Sequence, residues 1–385
     1  MTGADRAVRV SLDVTAVPVR PVGAGHYTLE LATALGRRDD LDLRLLARRD
    51  DGRRWADRVP GVEVVPVAPV ARPVRLAWEQ GALPRLLRRL GVGVHHGPHY
   101  TMPERSAVPM VVTVHDLSFF VEPAWHERSK VLLFRRAITT AARRAAVVVC
   151  PSHTTAAELA RWCRVEAEVV VAHHGVATDR FVPDEESPGS DRDVLERLMP
   201  GLASRPFLCF VGTLEPRKAV PELVAAFDRI AGAHPEALLV LAGGDGWGTA
   251  AVEAAVARAR HGDRVVRTGY VDDVAVPALL RGAVAVTYPA RYEGFGLPAL
   301  EALACGARLV TTSGTVMEEV AGDAARLVPP GDVRALADAL DAELRGGDPD
   351  REAARERGLG LARAHTWDAS AARHVHAYRL AAART

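Results

Sequence analysis

Two glutamates in the segment Tyr288–Gly306 have residue types and a spacing that could do chemistry. The segment reads YPARYEGFGLPALEALACG, in which a predicted strand ends in a glycine-rich turn and a helical pattern begins near Pro298. Glycines before a helix and proline in its first turn leave backbone N–H groups available to an anion. Glu293 lies in the loop, and Glu301 lies eight residues further on, about one turn inside the helix. The pattern predicts a phosphate-bearing ligand, with the two carboxylates reaching different parts of it.

A second segment, Phe207–Pro221, carries adjacent cations. It reads FLCFVGTLEPRKAVP, a buried strand followed by a loop that contains Arg217 and Lys218. Of 49 basic residues in the chain only Lys130 and Lys218 are lysines, so a lysine stands out. A compact, rotatable ammonium can bridge two phosphates in a way that a planar guanidinium cannot. This position predicts a phosphate contact for Lys218, with a solvated loop lysine as the alternative.

Three other loops follow predicted strands. In PVGAGHY, Gly25 lacks a side chain and would let the backbone approach a ligand closely. His115 follows the strand pattern VVTV. GYVDDV supplies Asp272 and Asp273, either of which could accept two hydrogen bonds from guanine, whereas uracil offers only one such donor. A structural histidine and a solvated turn are the alternatives at these positions.

A metal or a bound cofactor is not expected. The cluster of His95, His96 and His99 has no carboxylate partners nearby in sequence, and no DxD-type metal loop is apparent beside the phosphate-binding motifs. The four cysteines form no CxxC pair, so neither a zinc site nor a disulfide framework is indicated. The GxG of the first loop lacks the GxGxxG spacing of a dinucleotide site, and no ATPase phosphate loop is present.

Short β-branched runs alternate with longer helical patterns along the whole chain, which predicts parallel sheets with helices on both faces. The first helix is predicted over Tyr27–Arg37. Ligands of such sheets bind outside the carboxyl ends of the strands, where the loops described above lie. The predicted strands are Val8–Val14, Leu41–Ala47, Val62–Val67, Val92–His95, Pro109–Val114, Ala146–Cys150, Glu168–Ala172, Phe207–Val211, Ala237–Ala242, Val265–Thr268, Val284–Tyr288, Arg308–Thr311 and Ala325–Val328.

The length of 385 residues exceeds what one hydrophobic core usually supports, which predicts two domains. A polar, breaker-rich stretch at 183–205 predicts the linker between them. The expected divisions are an N-terminal acceptor-binding domain at 1–182, a nucleotide-sugar-binding domain at 206–362 and a C-terminal helix within 363–385; these assignments of function follow from the resemblance described next.

The segment around the two glutamates closely resembles the E-x7-E motif of the retaining glycosyltransferases of family 4, which have the GT-B fold and typically read EGFGLPxLEAxAxG. The resemblance implies that Glu293 sits beside the transferred sugar and that Glu301 binds the ribose hydroxyls. It also implies that Phe295, Gly296 and Leu297 present backbone amides to the diphosphate.

The sequence GTLEPRK resembles the diphosphate-binding loop of the same family, and it implies that Lys218 neutralises the leaving group. Many members have arginine directly after the glycine, where this chain has Thr213. Arg217 is therefore the candidate for the second cation. The resemblance further implies that Gly25 meets the donor phosphates and that His115 lines the pocket of the transferred sugar.

The resemblance extends over nearly the whole chain. It implies an α/β protein of GT-B fold, with two doubly wound Rossmann-like domains facing a central cleft and a C-terminal helix, Trp367–Leu380, packed on the first domain. The implied activity is a retaining, metal-independent transfer of a hexose-type sugar, in a GDP-mannose-like donor, to a hydroxyl acceptor on a glycan, glycolipid or small molecule. The alternatives are a sugar-nucleotide epimerase of GT-B fold, a glycosidase and a non-catalytic sugar-nucleotide binding subunit.

Charge is unevenly distributed along the chain. Residues 1–180 hold 26 basic and 19 acidic residues, and the remainder holds 23 and 29. The basic excess concentrates in two predicted helices, Arg72–Arg89 and Arg128–Arg144. A solvated helix face is one interpretation, and a surface that attracts an anionic membrane or a phosphorylated acceptor is the other. Nucleic acid is not expected, since no aromatic residues interleave with the arginines.

No apolar run approaches the ~18 residues of a membrane span, and the first residues do not resemble a secretory leader. The chain is therefore expected in the cytoplasm, with peripheral membrane contact as the open alternative.

Overall fold

The structure is a computed structural model that describes residues 7–19, 21, 23–187 and 190–384. The chain divides into two units. Unit 1 is Met1–Gly175 with Trp367–Thr385, and unit 2 is Val176–Thr366. The backbone N–H of Val176 donates to the carbonyl of His365 at 2.9 Å, so the first and last residues of unit 2 lie side by side.

Unit 1 is built on a parallel sheet. Its strands are β1 (Val8–Asp13), β2 (Leu41–Arg48), β3 (Glu63–Ala68), β4 (Val94–Gly97), β5 (Met110–Thr113), β6 (Val147–Cys150) and β7 (Glu168–Val171). Its helices are α1 (Ala24–Gly36), α2 (Gly52–Arg58), α3 (Arg72–Gly81), α4 (Leu83–Leu90), α5 (Ser118–Val121), α6 (Arg128–Arg144), α7 (His153–Trp162) and, at the end of the chain, α16 (Trp367–Ala382). Within the described residues the seven strands take the order β3-β2-β1-β4-β5-β6-β7.

Unit 2 repeats the architecture. Its strands are β8 (Phe207–Val211), β9 (Leu238–Ala242), β10 (Val265–Gly269), β11 (Ala285–Tyr288), β12 (Leu309–Thr312) and β13 (Arg326–Val328). Its helices are α8 (Asp191–Leu198), α9 (Val220–Ile230), α10 (Thr249–Arg258), α11 (Val276–Gly282), α12 (Leu297–Ala304), α13 (Val316–Ala321), α14 (Val333–Arg345) and α15 (Arg351–Ala364). In the part of unit 2 that is described, six strands take the order β10-β9-β8-β11-β12-β13.

The central strands are buried on both faces, as parallel sheets covered by helices require. Every residue of β5, β6 and β9 is buried, which explains why these strands read as continuous apolar runs rather than alternating patterns. Each of the thirteen predicted strands overlaps a strand of the structure. The predicted fold class, an α/β protein of two doubly wound domains, is confirmed.

In each sheet the strand order reverses direction beside the first strand, between β1 and β4 in unit 1 and between β8 and β11 in unit 2. Ligands of doubly wound sheets bind at the carboxyl ends of the strands on either side of such a reversal. In unit 2, β8 and β11 lead directly into the GTLEPRK and EGFGLP loops. The sheet topology therefore brings the two most informative sequence motifs to one edge of unit 2.

The boundary between the units differs from the predicted linker. Residues 183–187 and 190–205 belong to unit 2, because Leu195 of α8 and Leu202 are buried in its hydrophobic core. Asp191 also accepts two hydrogen bonds at 2.6 Å from the guanidinium of Arg281 on α11. The polar composition of this stretch belongs to the solvent face of an amphipathic helix.

The C-terminal helix α16 belongs to unit 1. His374 and Tyr378 are fully buried against the sheet of that unit, and Arg379 pairs with Asp40 at 2.8 Å. In the described part of the chain, no helix has both the length and the apolar character needed to cross a membrane.

Candidate active site

Lys218 ends the loop that follows β8. The loop closes with one turn of 3-10 helix, Pro216–Lys218, and Ala219 then adopts a left-handed conformation with φ at 53° before α9 begins. The side chain of Lys218 is only 7% exposed, and its Nζ lies 5.5 Å from the ring centre of Tyr288, a cation–π distance. Lys218 is therefore a buried cation and not a solvated loop lysine.

Gly212, the first residue after β8, makes room for this cation. Its φ is 150°, and a Cβ placed there would lie 2.7 Å from Nζ of Lys218. The glycine is thus required both by its backbone conformation and by the close approach of the ammonium.

Glu293 is held by two partners, one at each carboxylate oxygen. The hydroxyl of Tyr288 donates to Oε1 of Glu293 at 2.8 Å, and Nη1 of Arg217 pairs with Oε2. Nε of Arg217 donates to Glu215 at 2.7 Å. These five residues, Glu215, Arg217, Lys218, Tyr288 and Glu293, form what we call the switch-point cluster.

The charges of the cluster shift the pKa values of Glu293 and Lys218. Burial alone would raise the pKa of Glu293, but the positive charges of Arg217 and Lys218 and the hydrogen bonds outweigh it, so this pKa lies below its usual value. Burial lowers the pKa of Lys218, and the negative charge of Glu293 partly opposes that effect. At neutral pH Glu293 is a carboxylate whose two oxygens are already engaged.

The amino terminus of α12 follows the cluster. Gly296 caps this helix with φ at 94°, and a Cβ there would lie 2.7 Å from Sδ of Met317. Phe295 is buried, Leu297 begins the helix, and Pro298 occupies its first turn. The first N–H groups of a helix have no partner within it and carry a partial positive charge. Half-buried Glu301 lies on the same helix.

Asp272 and Asp273 lie after β10, which is two strands from β8, or ~10 Å along the sheet edge. The carboxylate of Asp273 lies 3.6 Å from the guanidinium of Arg180, whereas Asp272 is exposed. The extended path from Lys218 to Asp272 suits an elongated ligand such as a nucleotide.

Gly25 and His115 belong to unit 1. A Cβ on Gly25 would lie 3.1 Å from Cβ of Pro21 and 3.5 Å from Cδ of Pro18, so the packing of its own loop already favours glycine here. Val22 of the same loop lies outside the described residues. His115 follows β5 and is 8% exposed, and its Nε2–H donates to the carbonyl of Pro98 at 2.7 Å. This tautomer leaves Nδ1 as the acceptor nitrogen.

The ring of His115 packs against Tyr27, with the ring centres 4.9 Å apart. Tyr27 belongs to a chain of buried hydrogen bonds in which each donor and acceptor can be assigned. Nδ1–H of His374 donates to the carbonyl of Ser370 at 2.8 Å, so Nε2 of His374 must accept the Tyr27 hydroxyl at 2.7 Å. The Thr113 hydroxyl then donates to Tyr27 at 2.8 Å and accepts from Nε2–H of His96 at 2.8 Å. Nδ1 of His96 completes the chain by accepting the hydroxyl of Tyr378 at 2.9 Å. The chain requires both histidines to be neutral.

Acid should therefore destabilise unit 1. Burial lowers the pKa of His374 to about 4 and that of His96 well below its usual range, whereas the unfolded chain has histidine pKa values of about 6.5. The unfolded state binds protons first, so stability is complete above pH 6.5 and is lost as the pH falls toward 4. For His374 alone the loss is on the order of 3 kcal/mol.

Urea unfolding at a series of pH values checks this expectation. His374→Gln should flatten the dependence of the unfolding free energy on pH, because glutamine does not titrate. The exposed His376 on the same helix is the matched control, and His376→Gln should leave the dependence unchanged. An equal effect of both substitutions would contradict the role of the buried chain.

Two histidines of the cluster at residues 95–99 and two aspartates of unit 2 already have partners. His95 bonds to Ser11 at 2.9 Å and His99 to Thr28 at 3.2 Å. Two Asp-x-Asp sequences lie in unit 2, at 191–193 and 348–350. Asp191 pairs with Arg281, and Asp348 pairs with Arg308 at 2.8 Å. The ion pairs give these aspartates structural roles.

Known protein families match most of both halves of the chain. Residues 21–180 match the family described as Glycosyltransferase Family 4, and residues 201–359 match Glycosyl transferases group 1. The chain is 28% identical over 382 residues to O-antigen chain mannosyltransferase B of Escherichia coli, covering 93% of this chain and 96% of that protein. The chain belongs to glycosyltransferase family 4.

Solved structures agree on the fold of the glycosyltransferase. Sucrose-phosphate synthase of Thermosynechococcus elongatus superposes with a TM-score of 0.75 at 20% identity, over 98% of this chain and 100% of that one. The HepE protein of Anabaena, in complex with UDP and glucose, superposes with a TM-score of 0.71 at 18% identity, over 97% of this chain and 99% of that one. The fold of the enzyme is GT-B.

The structure of the glycosyltransferase brings Arg217, Lys218 and Glu293 together. Phe295 and Gly296 come immediately before the adjoining helix α12, and Leu297 and Glu301 lie on it. Sequence reasoning missed Tyr288 and Glu215. Tyr288 was visible as a hydroxyl-bearing ring at the last position of a buried strand, the position from which its hydroxyl reaches Glu293. Glu215 carried no signal, because a glutamate in a polar loop is ordinary.

Proposed function

We propose that the enzyme transfers a hexose-type sugar from a nucleotide diphosphate donor to a hydroxyl acceptor, with retention of the anomeric configuration and without a metal. The observation that carries the proposal is the switch-point cluster, in which the buried Lys218 and the largely buried carboxylate of Glu293 lie at the carboxyl ends of β8 and β11. A cation for the leaving diphosphate and an anion beside the electron-poor sugar are the charges that glycosyl transfer needs.

Each part of the donor has a candidate partner in unit 2. Lys218 and the amides of Phe295, Gly296 and Leu297 bind the diphosphate, and the partial positive charge at the start of α12 adds to theirs. Glu301 binds the ribose hydroxyls. Preorganised donors of this kind contribute ~3–4 kcal/mol each to transition-state stabilisation.

Arg217 acts by holding Glu293. Its guanidinium already pairs with both Glu215 and Glu293, so its charge is less available to the diphosphate than that of Lys218. We propose that Arg217 positions Glu293 and that Lys218 is the cation that contacts the phosphates. His115 of unit 1 contacts the transferred sugar through Nδ1.

In the proposed reaction the bond between the anomeric carbon and the phosphate oxygen breaks, and a bond to the acceptor oxygen forms on the same face. The leaving phosphate takes the acceptor's proton. Lys218 stabilises the charge that develops on the diphosphate, which replaces the role that a divalent cation has in other transferases.

Incubation with GDP-mannose and with UDP-glucose, each with and without a mannosylated acceptor and with a chelator, tests the proposal. Transferred sugar of retained configuration, formed equally well with the chelator, is the expected result. Epimerised donor without an acceptor would identify an epimerase. Donor binding without any product would identify a non-catalytic subunit.

Mannose is proposed as the sugar because the relative that covers nearly the whole chain is a mannosyltransferase by name. The acceptor is proposed to be a glycan, glycolipid or small molecule, and a glycolipid would agree with peripheral membrane contact through unit 1. Unit 1 holds 28 basic and 19 acidic residues, a net charge of +9, and unit 2 holds 21 and 29, a net charge of −8. This charge distribution supports the contact with an anionic surface.

GDP is expected to raise the melting temperature more than UDP does at the same concentration, because Asp272 can accept two hydrogen bonds from guanine. A ligand at ~100 times its Kd adds ~2.7 kcal/mol of stability, which a thermal-shift assay resolves. Asp273 is the less available carboxylate because it pairs with Arg180. Asp272→Ala should reduce the difference between the nucleotides, and Asp338→Ala on α14 serves as the control. Equal or reversed stabilisation would contradict guanine recognition.

A further inference from the structure

Unit 1 contains a cavity of about 520 Å³ between α4 and the loop that joins β4 to β5. Arg85, Arg88 and Arg105 line it, together with Ser106 and Gln80. No acidic residue is among the lining residues. We call this cavity the arginine pocket. Its volume lies in the range of ligand-binding pockets, ~300–1,000 Å³.

The three arginines lack counter-charges. Within the described residues, no ion pair joins Arg85, Arg88 or Arg105 to a carboxylate. Glu104 precedes Arg105 in the loop, but its carboxylate pairs with Arg136 at 2.8 Å. The acidic residue next to Arg105 in the sequence is therefore already engaged, and the three arginines of the pocket keep their positive charge.

Separate segments of the chain supply the charges. Arg85 and Arg88 are three residues apart on α4 and share a helix face, while Leu83 and Leu87 on the opposite face are fully buried. The amphipathic pattern of α4 explains why its arginines face outward. It does not explain Arg105, which comes from the loop and adds a third like charge to the same cavity. Like charges repel one another, and a bound anion would remove that repulsion.

Within unit 1, the arginine pocket and the loops that carry His115 and Gly25 adjoin opposite edges of the sheet. Arg88 comes shortly before β4, and Arg105 and Ser106 shortly before β5, so the pocket adjoins the amino ends of these strands. His115 and the glycine loop follow the carboxyl ends, at the opposite edge of the sheet. A ligand of the arginine pocket is therefore additional to the donor.

We propose that the arginine pocket binds a phosphate group, carried either by the headgroup of an anionic lipid or by a free phosphate compound. Guanidinium groups bind phosphate oxygens through paired, charge-assisted hydrogen bonds, and Ser106 adds a hydroxyl donor. A neighbouring cavity of about 350 Å³ shares Ser106 and Ala107, but its arginines, Arg144 and Arg384, already face Glu104 and Glu168 at 3.9 and 3.8 Å, so it adds no unpaired positive charge. The proposal is independent of the donor specificity and of the transfer reaction.

Binding to phosphatidylcholine vesicles with and without phosphatidylglycerol, and to glycerol phosphate in solution, tests the proposal on the full chain. The double variant Arg88→Ala/Arg105→Ala is expected to weaken binding about ten-fold or more in at least one of the two experiments. The matched control is Arg53→Ala/Arg161→Ala, which removes two exposed arginines of unit 1 outside the pocket. It should change binding less than two-fold.

The two experiments separate the sources of the phosphate. Loss of vesicle binding alone identifies a lipid headgroup, and loss of glycerol phosphate binding identifies a free phosphate compound. Arg88→Lys/Arg105→Lys keeps the charge and should restore binding only in part, because lysine cannot form the paired hydrogen bonds. Equal losses in both alanine variants would mean diffuse attraction to a basic domain, and no binding in either experiment would also overturn the proposal.

Discussion

Lys218→Ala is expected to lower kcat/KM by ~100-fold or more, equivalent to about 3 kcal/mol of transition-state stabilisation. The ammonium is buried, is close to the face of Tyr288, and carries the charge that would meet the departing diphosphate. A buried cation interacts with a nearby anion much more strongly than a solvated one, because little water screens the pair. Steady-state kinetics with donor and acceptor measure the loss.

Lys218→Arg is the sharper variant. It keeps the charge, but the guanidinium is larger than an ammonium, and Gly212 already lies so close that a methyl group there would approach Nζ to 2.7 Å. Arginine should therefore recover only part of the activity. Lys218→Met, which has a similar length and no charge, separates the loss of charge from the loss of packing and should resemble alanine in its kinetics.

The chain offers a matched control in its other lysine. Lys130 on α6 is partly exposed and pairs with Glu127 at 3.1 Å, so Lys130→Ala should leave kcat/KM and the melting temperature almost unchanged. Native turnover in all three Lys218 variants would show that the phosphate site lies elsewhere. If the Lys218 variants lose activity only because they are partly unfolded, as a strongly lowered melting temperature would show, Lys218 has a structural role.

The fold was predictable because the strands of a parallel sheet are short runs of β-branched and apolar residues that polar helices separate. Phe207–Val211 has the same bounds in the prediction and in the structure. The first helix begins at Ala24 and not at Tyr27, because Gly23 caps it with φ at 49°, a conformation that the sequence pattern does not reveal. The linker prediction failed because polar residues on one face of α8 hid the buried Leu195 on the other.

The sequence allowed the motifs of the candidate site to be predicted, but it did not allow the contacts between their side chains to be predicted. Which loops lie next to each other depends on the strand order. β8 pairs directly with β11, although β9 and β10 come between them in the sequence. That pairing brings Arg217 and Lys218 to Glu293 and Tyr288. The direction of Arg217 depends on Glu215, which lies close to it in the chain but could equally have faced solvent.

Glu293→Ala is expected to lower kcat by ~100-fold or more while KM changes little, because its carboxylate acts beside the transferred sugar as positive charge develops there. The side chain is 12% exposed, and its two oxygens are held by Tyr288 and Arg217. Arg217 would still pair with Glu215, but removal of the carboxylate leaves the switch-point cluster with two cations and one anion, so the alanine variant should also be less stable.

Glu293→Gln separates these two effects. Its amide oxygen can still accept the Tyr288 hydroxyl, so the glutamine variant should be more stable than the alanine variant and still lose most of the turnover. Glu301→Ala should show the opposite kinetic pattern, a KM for the donor raised about ten-fold with kcat nearly unchanged, because ribose hydrogen bonds are present before and during the reaction. Glu253→Ala on α10, which removes an exposed carboxylate of the same unit, should change neither constant. If Glu301→Ala lowers kcat and Glu293→Gln raises KM, the two glutamates have exchanged roles, and the carboxylate that stabilises the positive charge developing on the sugar is the one on α12.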